Sequence, residues 1–155
     1  MIKFILAVLL VVGIYAGIQP YRTVQNLTQA LENEDPLKVD QYVDFDAVKT
    51  NLNKDFAVEM GLDQGQQNSF AQTLATTIAN TFIQGILSPE TMVAVLKDKT
   101  RRDNLGLSSS LADLAARGSW QNTDQFVLRN DNGQPTALLT RNGVKWEVTA
   151  LRIVR

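Results

Sequence analysis

The chain opens on an uninterrupted apolar stretch: residues 2–18 read IKFILAVLLVVGIYAGI, and Lys3 is the only charged side chain among them. A membrane-spanning helix needs about 20 apolar residues, with about 17 as the lower limit, whereas the apolar part of a signal peptide needs about 7 to 15. The stretch therefore directs the chain to a membrane. The side chains expected in the hydrocarbon include Ile2, Phe4, Leu6, Leu9, Val12, Ile14 and Tyr15.

The end of this stretch lacks a good site for signal peptidase. Such a site has small residues at the last and third-last positions of the removed peptide. Cleavage after Ala16 would place Ile14 at the third-last position, and cleavage after Gly17 would place Tyr15 there. We therefore predict an uncleaved membrane anchor. A cleaved signal peptide and a buried core helix are the two alternatives.

Charged residues on the two sides of the stretch predict its orientation. Lys3 and the terminal amine precede it, and a cluster of acidic residues follows Arg22: Glu32, Glu34 and Asp35. Positively charged flanks are retained in the cytoplasm. We expect a protein of the bacterial inner membrane whose amino terminus is cytoplasmic and whose main domain is periplasmic.

Pro20 marks the expected boundary between the anchor and this domain. Proline has no N–H to donate and disfavours helical geometry in the preceding residue, here Gln19. We expect the membrane helix to bend or stop there, with a new helix starting at Pro20 or Tyr21. This divides the chain into an anchor, residues 1–20, and one extracytoplasmic domain, residues 21–155.

Composition excludes several classes of function. The chain has 155 residues, enough for one domain, with 15 basic and 16 acidic side chains, and this balance gives no basis for binding nucleic acid. It has no cysteine and no histidine, which removes disulfides, thiolate chemistry, the commonest metal ligand and the commonest general base. We predict no cofactor, no metal and no enzymatic activity.

Between the anchor and Gly118, apolar residues recur three or four positions apart, which is the spacing of short amphipathic helices. Asp35-Pro36 and Ser88-Pro89 each place a capping residue before a proline that suits the first helical position. Gly61 and Gly118 are expected to end helices. The predicted buried stripes are Tyr21, Val24, Leu27 and Leu31; Val39, Tyr42 and Val43; Phe45, Val48, Leu52, Phe56 and Met60; Phe70, Leu74, Ile78, Phe82 and Ile86; Met92, Val93 and Leu96; and Leu111, Leu114 and Ala115.

From Trp120 onward, apolar residues tend to recur at every second position, which predicts strands over residues 126–128, 136–140 and 144–154. Asp131-Asn132-Gly133 and Asn142-Gly143 supply the turns between them. Val144, Trp146, Val148 and Ala150 should share one face, with a bulge near residues 149–151 or burial of both faces of the strand. The expected fold is α+β: a single transmembrane helix, then several short amphipathic helices packed on a three-stranded antiparallel meander.

Three polar segments invite a chemical interpretation. Asp44 and Asp46 could bind a cation, but capping of a helix that begins at Phe45 explains them better. The segment 130–133 resembles a calcium loop without its distal glutamate, so a hairpin turn is favoured. The basic residues Lys97, Lys99, Arg101 and Arg102 alternate with acids, which is typical of a solvated loop.

Four aromatic residues are candidates for a ligand pocket, because aromatic walls are common in such sites. Packing in the core is the favoured interpretation, since large aromatic side chains dominate protein cores. The candidates are Phe45, Phe82, Trp120 and Trp146.

Several segments resemble one family of proteins: residues 20–24 (PYRTV) after the anchor, residues 30–35 (ALENED) with 42–48 (YVDFDAV), residues 87–90 (LSPE), and residues 143–148 (GVKWEV). With these segments the chain resembles the bacterial family of unknown function DUF2939. The resemblance implies a membrane-anchored envelope protein of Gram-negative bacteria with no assigned activity, and it transfers no catalytic residue.

These observations lead to a non-enzymatic protein that binds membrane lipid through its first helix and contacts an envelope protein partner or a small apolar ligand through its periplasmic domain. The alternative is a soluble periplasmic ligand-binding module that is released by cleavage of a signal peptide. A third possibility is an acid–base enzyme that uses Asp44 or Asp46.

Overall fold

The structure, a computed structural model, describes residues 2–59, 87–98 and 111–151. In chain order these residues form helices α1 (Ile2–Glu32), α2 (Pro36–Tyr42), α3 (Phe45–Glu59), α4 (Pro89–Lys97) and α5 (Leu111–Ala116), and strands β1 (Ser119–Asn122), β2 (Gln125–Arg129), β3 (Pro135–Asn142) and β4 (Lys145–Leu151). The α+β class is confirmed. Several predictions lie outside the described residues: the helix end at Gly61, the helix stripe from Phe70 to Ile86 and most of the basic segment 97–102.

Helix α1 passes through Pro20 without ending, so the prediction that a new helix starts there is wrong. Proline inside a helix removes one backbone hydrogen bond and crowds the carbonyl four residues earlier, at a cost of about 3 kcal/mol. Burial offsets this cost, because Pro20 is fully buried and begins the face of α1 that packs on the domain. The expected boundary between residues 20 and 21 therefore falls inside one helix.

The end of α1 and the start of α2 share a tight turn. Glu34 has a φ of 53°, the N–H of Asp35 donates to the carbonyl of Ala30 at 2.9 Å, and the N–H of Glu34 donates to that of Leu31 at 3.2 Å. This is the Schellman pattern of a helix end. Asp35 then caps α2 by accepting from the N–H of Lys38, so the predicted cap is confirmed.

The other two predicted caps are also confirmed. The Asp44 carboxylate accepts from the N–H of Ala47 at 2.9 Å, at the first turn of α3. The Ser88 hydroxyl accepts from the N–H of Thr91 at 3.2 Å, and Pro89 starts α4. Each cap satisfies a backbone donor that the first turn of a helix leaves without a partner.

The sheet is an antiparallel meander with the strand order β1-β2-β3-β4. It has four strands, so the predicted count of three is wrong. The missed strand β1 has the sequence SWQN and is mostly exposed, hence it carries no alternating apolar pattern. Backbone pairing with β2, in which Ser119 lies opposite Val127, defines it instead.

Both predicted hairpin turns are present. Gly133 and Gly143 have positive φ angles of 74° and 65°. Asn142 pairs with Lys145, so Gly143 and Val144 form a two-residue turn with glycine in its first central position. Val144 is consequently 93% exposed at the tip of the hairpin, and its predicted place on the buried face is wrong.

The predicted irregularity of the last strand is a bulge at Thr149. Leu138 pairs with Ala150 and Leu139 pairs with Val148, which leaves Thr149 as the extra residue of β4. The bulge shifts the alternation of β4 by one position. Trp146 and Val148 before it, and Leu151 after it, can therefore contribute to the same apolar layer.

The helices cover one face of the sheet and one of its edges. The core contains Val24 and Leu27 of α1, residues of α2 to α5, and the inward side chains of the sheet: Phe126, Leu128, Leu139, Trp146 and Val148. At the free edge of β4, Val43 forms a parallel bridge to Val148, and the N–H of Asp44 donates to the Val148 carbonyl at 2.9 Å. The connection between α2 and α3 thus protects this edge from pairing with another strand.

Candidate functional site

The two halves of α1 differ in their surroundings. Every large apolar side chain from Ile2 to Ile18 is exposed, with exposed fractions of 45–75%. Beyond them, Pro20, Thr23, Val24, Leu27 and Ala30 are buried in the domain. The helix is long and apolar enough to cross a membrane, and a signal sequence near the amino terminus would pass the same test. A single rigid element therefore joins the apolar segment to the core.

Four aromatic rings meet where α1 enters the domain, and we call them the aromatic junction: Tyr21, Trp120, Phe126 and Trp146. The Tyr21 and Trp120 rings each pack edge-on against Phe126, with ring centroids 5.0 and 5.5 Å apart. The Trp120 and Trp146 rings are likewise edge-on, at 5.3 Å. Such pairs contribute about 0.5–1.5 kcal/mol each beyond the burial of their area.

The junction has a buried side and an exposed side. Phe126 is fully buried and Trp146 is 5% exposed, whereas Tyr21 is 40% exposed and Trp120 is 42% exposed. Next to the junction, the guanidinium of Arg22 lies over the ring of Tyr15, 5.6 Å from its centroid. This part of the surface combines half-exposed amphipathic rings with a cation.

A groove of about 590 Å³ lies between α1 and α5. Its lining residues are Tyr21, Val24, Gln25, Thr28, Gln29, Glu32, Ala115 and Ala116. The groove contains one carboxylate, Glu32, one phenol, Tyr21, and one hydroxyl, Thr28, which donates to the carbonyl of Val24 at 2.8 Å. Its chemistry suits an apolar or neutral polar molecule.

A second, smaller cavity of about 100 Å³ lies on the face of the sheet opposite the helices. It is lined by Gln121, Val127, Ala137, Leu138 and Ala150. In the described part of the chain, Phe126, Leu139 and Val148 fill the space between the sheet and the helices.

The acidic candidates serve the backbone. The carboxylate of Asp44 is engaged by the N–H of Ala47, and Asp46 is exposed in the first turn of α3, where a negative charge is favourable. Within residues 2–59, 87–98 and 111–151, no group of three potential metal ligands comes together. The segment 130–133 is the predicted turn: the Asn130 side chain accepts from the N–H groups of Asn132 and Gln134.

The sequence shows significant similarity to one family model. The family is described as a protein family of unknown function, DUF2939, and its model matches residues 8–95, more than half of the chain. The chain belongs to the DUF2939 family. No curated protein and no solved structure shows significant similarity to it.

The DUF2939 match begins inside the apolar half of α1 and ends within α4. It contains the segments at residues 20–24, 30–35, 42–48 and 87–90 that carried the resemblance. The segment at residues 143–148 lies outside the match. In this DUF2939 chain, the matched region therefore includes the passage of α1 from its exposed half to its buried half, with Pro20 and Tyr21.

The fold gives the aromatic candidates of the sequence different degrees of burial, although the rings of Trp120 and Trp146 are in contact. Phe45 and Trp146 are buried in the core, Trp120 is exposed on β1, and Phe82 lies outside the described residues. Sequence reasoning missed Phe126, the ring that Tyr21 and Trp120 both contact. Its strand was predicted, but nothing in the pattern of β2 indicates that an α1 residue would pack on it.

Proposed function

We propose that this DUF2939 protein is a non-enzymatic, single-pass inner-membrane protein of a Gram-negative bacterium. Its α1 helix spans the bilayer with the amino terminus in the cytoplasm, and its α+β domain stands at the periplasmic face. One observation carries the proposal: α1 is a continuous helix whose first half exposes only apolar surface apart from Lys3, while its second half forms part of the domain core.

The length of the exposed half agrees with a membrane span. From Ile2 to Gln19 the helix extends about 27 Å at 1.5 Å per residue, close to the hydrocarbon thickness of about 30 Å. Exposed apolar surface is favoured in an apolar environment by roughly 25 cal/mol per Å². A bilayer supplies that environment for all sides of the helix at once.

The position of the candidate cleavage sites supports retention of α1. Ala16 and Gly17 lie within the helix, and Pro20, three residues after Gly17, is already buried in the domain. At either position signal peptidase would meet a large residue, Ile14 or Tyr15, in its specificity pocket. The soluble, cleaved form is therefore the weaker alternative.

We further propose that the domain contacts a partner protein or a small apolar ligand, and that the groove between α1 and α5 is the place of contact. Support comes from its position on α1 beyond the anchor and from its lining, in which Glu32 is the one charged residue. A photoreactive residue at Gln25, on the groove, should capture the bound molecule in whole cells, whereas the same residue at exposed Gln41 of α2 should not. Equal capture at both positions would contradict this contact.

An enzymatic role is not part of the proposal. Asp44, the strongest acidic candidate, accepts from the first turn of α3, and the Thr28 hydroxyl in the groove donates to the carbonyl of Val24. Acid–base catalysis needs a titratable group that is placed in a cleft and within reach of a substrate proton.

The deciding experiment measures topology and mass together. A reporter enzyme that is active only in the periplasm, fused after Arg155, should be active, and the full-length chain should resist extraction by alkaline carbonate. Release into the soluble fraction at a mass lacking about sixteen residues would establish the cleaved alternative. An inactive reporter on a carbonate-resistant chain would show that the orientation is the opposite one, with the domain in the cytoplasm.

A further inference from the structure

Helix α1 runs without a break from its apolar half into the domain. The depth of the apolar half in a membrane therefore fixes how close the domain lies to that membrane. Lys3 and Arg22, the charged residues that bracket the apolar segment, are about 28 Å apart along the helix at 1.5 Å per residue. This matches the hydrocarbon thickness of about 30 Å. Arg22 extends back over Tyr15, so its guanidinium lies on the membrane side of its own backbone position. The headgroup layer on this side therefore begins near the level of Arg22.

The aromatic junction is at the same level. Tyr21 is one residue before Arg22, and Trp120 and Tyr21 both contact Phe126. The Trp120 ring consequently lies no farther from the Tyr21 ring than the sum of 5.0 and 5.5 Å. The headgroup region occupies several Å on each side of the hydrocarbon. The separation of the two rings is of the same order as the depth of this layer.

We propose that Tyr21 and Trp120 rest in the phospholipid headgroup layer of the membrane that holds α1, so that the β1 side of the domain lies against the bilayer. This inference rests on the proposed function, because it requires α1 to remain in the membrane. Lipid headgroups cover the exposed aromatic rings, at the depth where amphipathic Trp and Tyr side chains are enriched in membrane proteins.

The contrast between the two tryptophans supports the inference. Trp146 and Trp120 touch each other, yet Trp146 is 5% exposed while Trp120 leaves 42% of its surface uncovered. The exposed ring is the one on the short edge strand β1, whose other residues are polar or small. A membrane interface accommodates both the apolar face and the N–H of such a ring.

Fluorescence quenching by brominated lipids tests the depth of Trp120. The full-length chain is reconstituted into vesicles of phosphatidylcholine and phosphatidylglycerol, with a phosphatidylcholine brominated either near the carboxyl end or near the methyl end of its acyl chains. Because the chain has two tryptophans, Trp146→Phe leaves Trp120 as the only reporter, and Trp120→Phe leaves Trp146 as the matched control. If Trp146→Phe does not fold, the difference between the wild type and Trp120→Phe supplies the same signal.

We expect bromine near the carboxyl end to quench Trp120 at least about twofold more than it quenches Trp146, and more than bromine near the methyl end does, because interfacial rings sit at headgroup depth. Flotation of the vesicles separates the two proposals. A chain that floats and resists carbonate, with Trp120 no better quenched than Trp146, retains the anchor and overturns the interfacial contact. A chain that does not float with the vesicles overturns both.

Discussion

The side-chain amide of Asn51 donates a 2.8 Å hydrogen bond to the backbone carbonyl of Thr149, 98 residues later in the chain. Thr149 is the bulged residue of β4, and a bulge leaves its extra residue outside the regular strand pairing. Asn51 of α3 therefore gives the carbonyl of the bulged residue a side-chain partner. Together with the bridge between Val43 and Val148, this bond fixes the helical layer to the edge of the sheet.

Asn51→Ala should lower the free energy of unfolding by about 1–2 kcal/mol, because a half-buried carbonyl loses its partner. Urea unfolding of the detergent-solubilised full-length protein measures the change. Asn53→Ala is the matched control on the same helix, since no hydrogen bond of the Asn53 side chain is seen in the described part of the chain, and it should change stability by less than about 0.5 kcal/mol. Equal losses for the two variants would show that the Asn51 bond contributes nothing specific.

Gly118→Ala should destabilise the protein by about 1–3 kcal/mol through overpacking. A Cβ at Gly118 would collide with the ring of Phe126, and that ring cannot swing away because Tyr21 and Trp120 pack on it. A double-mutant cycle with Phe126→Leu checks the mechanism. The loss of unfolding free energy caused by Gly118→Ala should be about 1 kcal/mol smaller in the Phe126→Leu background. An unchanged loss would show that the backbone at residue 118, and not the Phe126 ring, causes the effect.

Trp146→Ala should lower the free energy of unfolding by roughly 3–5 kcal/mol, as expected for a buried aromatic residue, while Trp120→Ala should cost clearly less. The physical reason is burial, since Trp146 lies in the core cluster with Phe45 and Val48, and Trp120 does not. In detergent, iodide should quench the emission of Trp146 in a Trp120→Phe variant only weakly. Strong quenching together with red-shifted emission would place Trp146 on the surface.

Asp44→Asn should leave the stability within about 0.5 kcal/mol of the wild type, whereas Asp44→Ala should cost about 0.5–2 kcal/mol, because Asn caps a helix as well as Asp does. The Asp44 carboxylate accepts from Ala47, and an amide oxygen in its place can do the same. Thermal unfolding followed by circular dichroism compares the two variants. A large loss of stability for Asp44→Asn would show that the negative charge itself is needed. It would then favour the hypothesis that Asp44 and Asp46 bind a cation.

The sequence by itself determined the features that depend on neighbouring residues. The caps at Asp35, Asp44 and Ser88 need only a side chain that reaches a backbone N–H three residues later. The turns at Gly133 and Gly143 need only a residue that tolerates a positive φ. The apolar character of α1 and the change to a period of two after Trp120 are equally local, so the α+β class followed from them.

The tertiary structure alone decided the features that depend on distant contacts. Strand β1 exists because β2 pairs with it, although its own four residues show no strand pattern. Pro20 stays inside α1 because the domain buries it, a stabilisation that no local rule for proline includes. Trp120 and Trp146 are both aromatic residues of strands and their rings touch, but the helices that pack along β4 bury the second, while the first stays exposed on the edge strand β1. Burial is a property of the assembled layers, and single-residue patterns carry no information about which layer covers which ring.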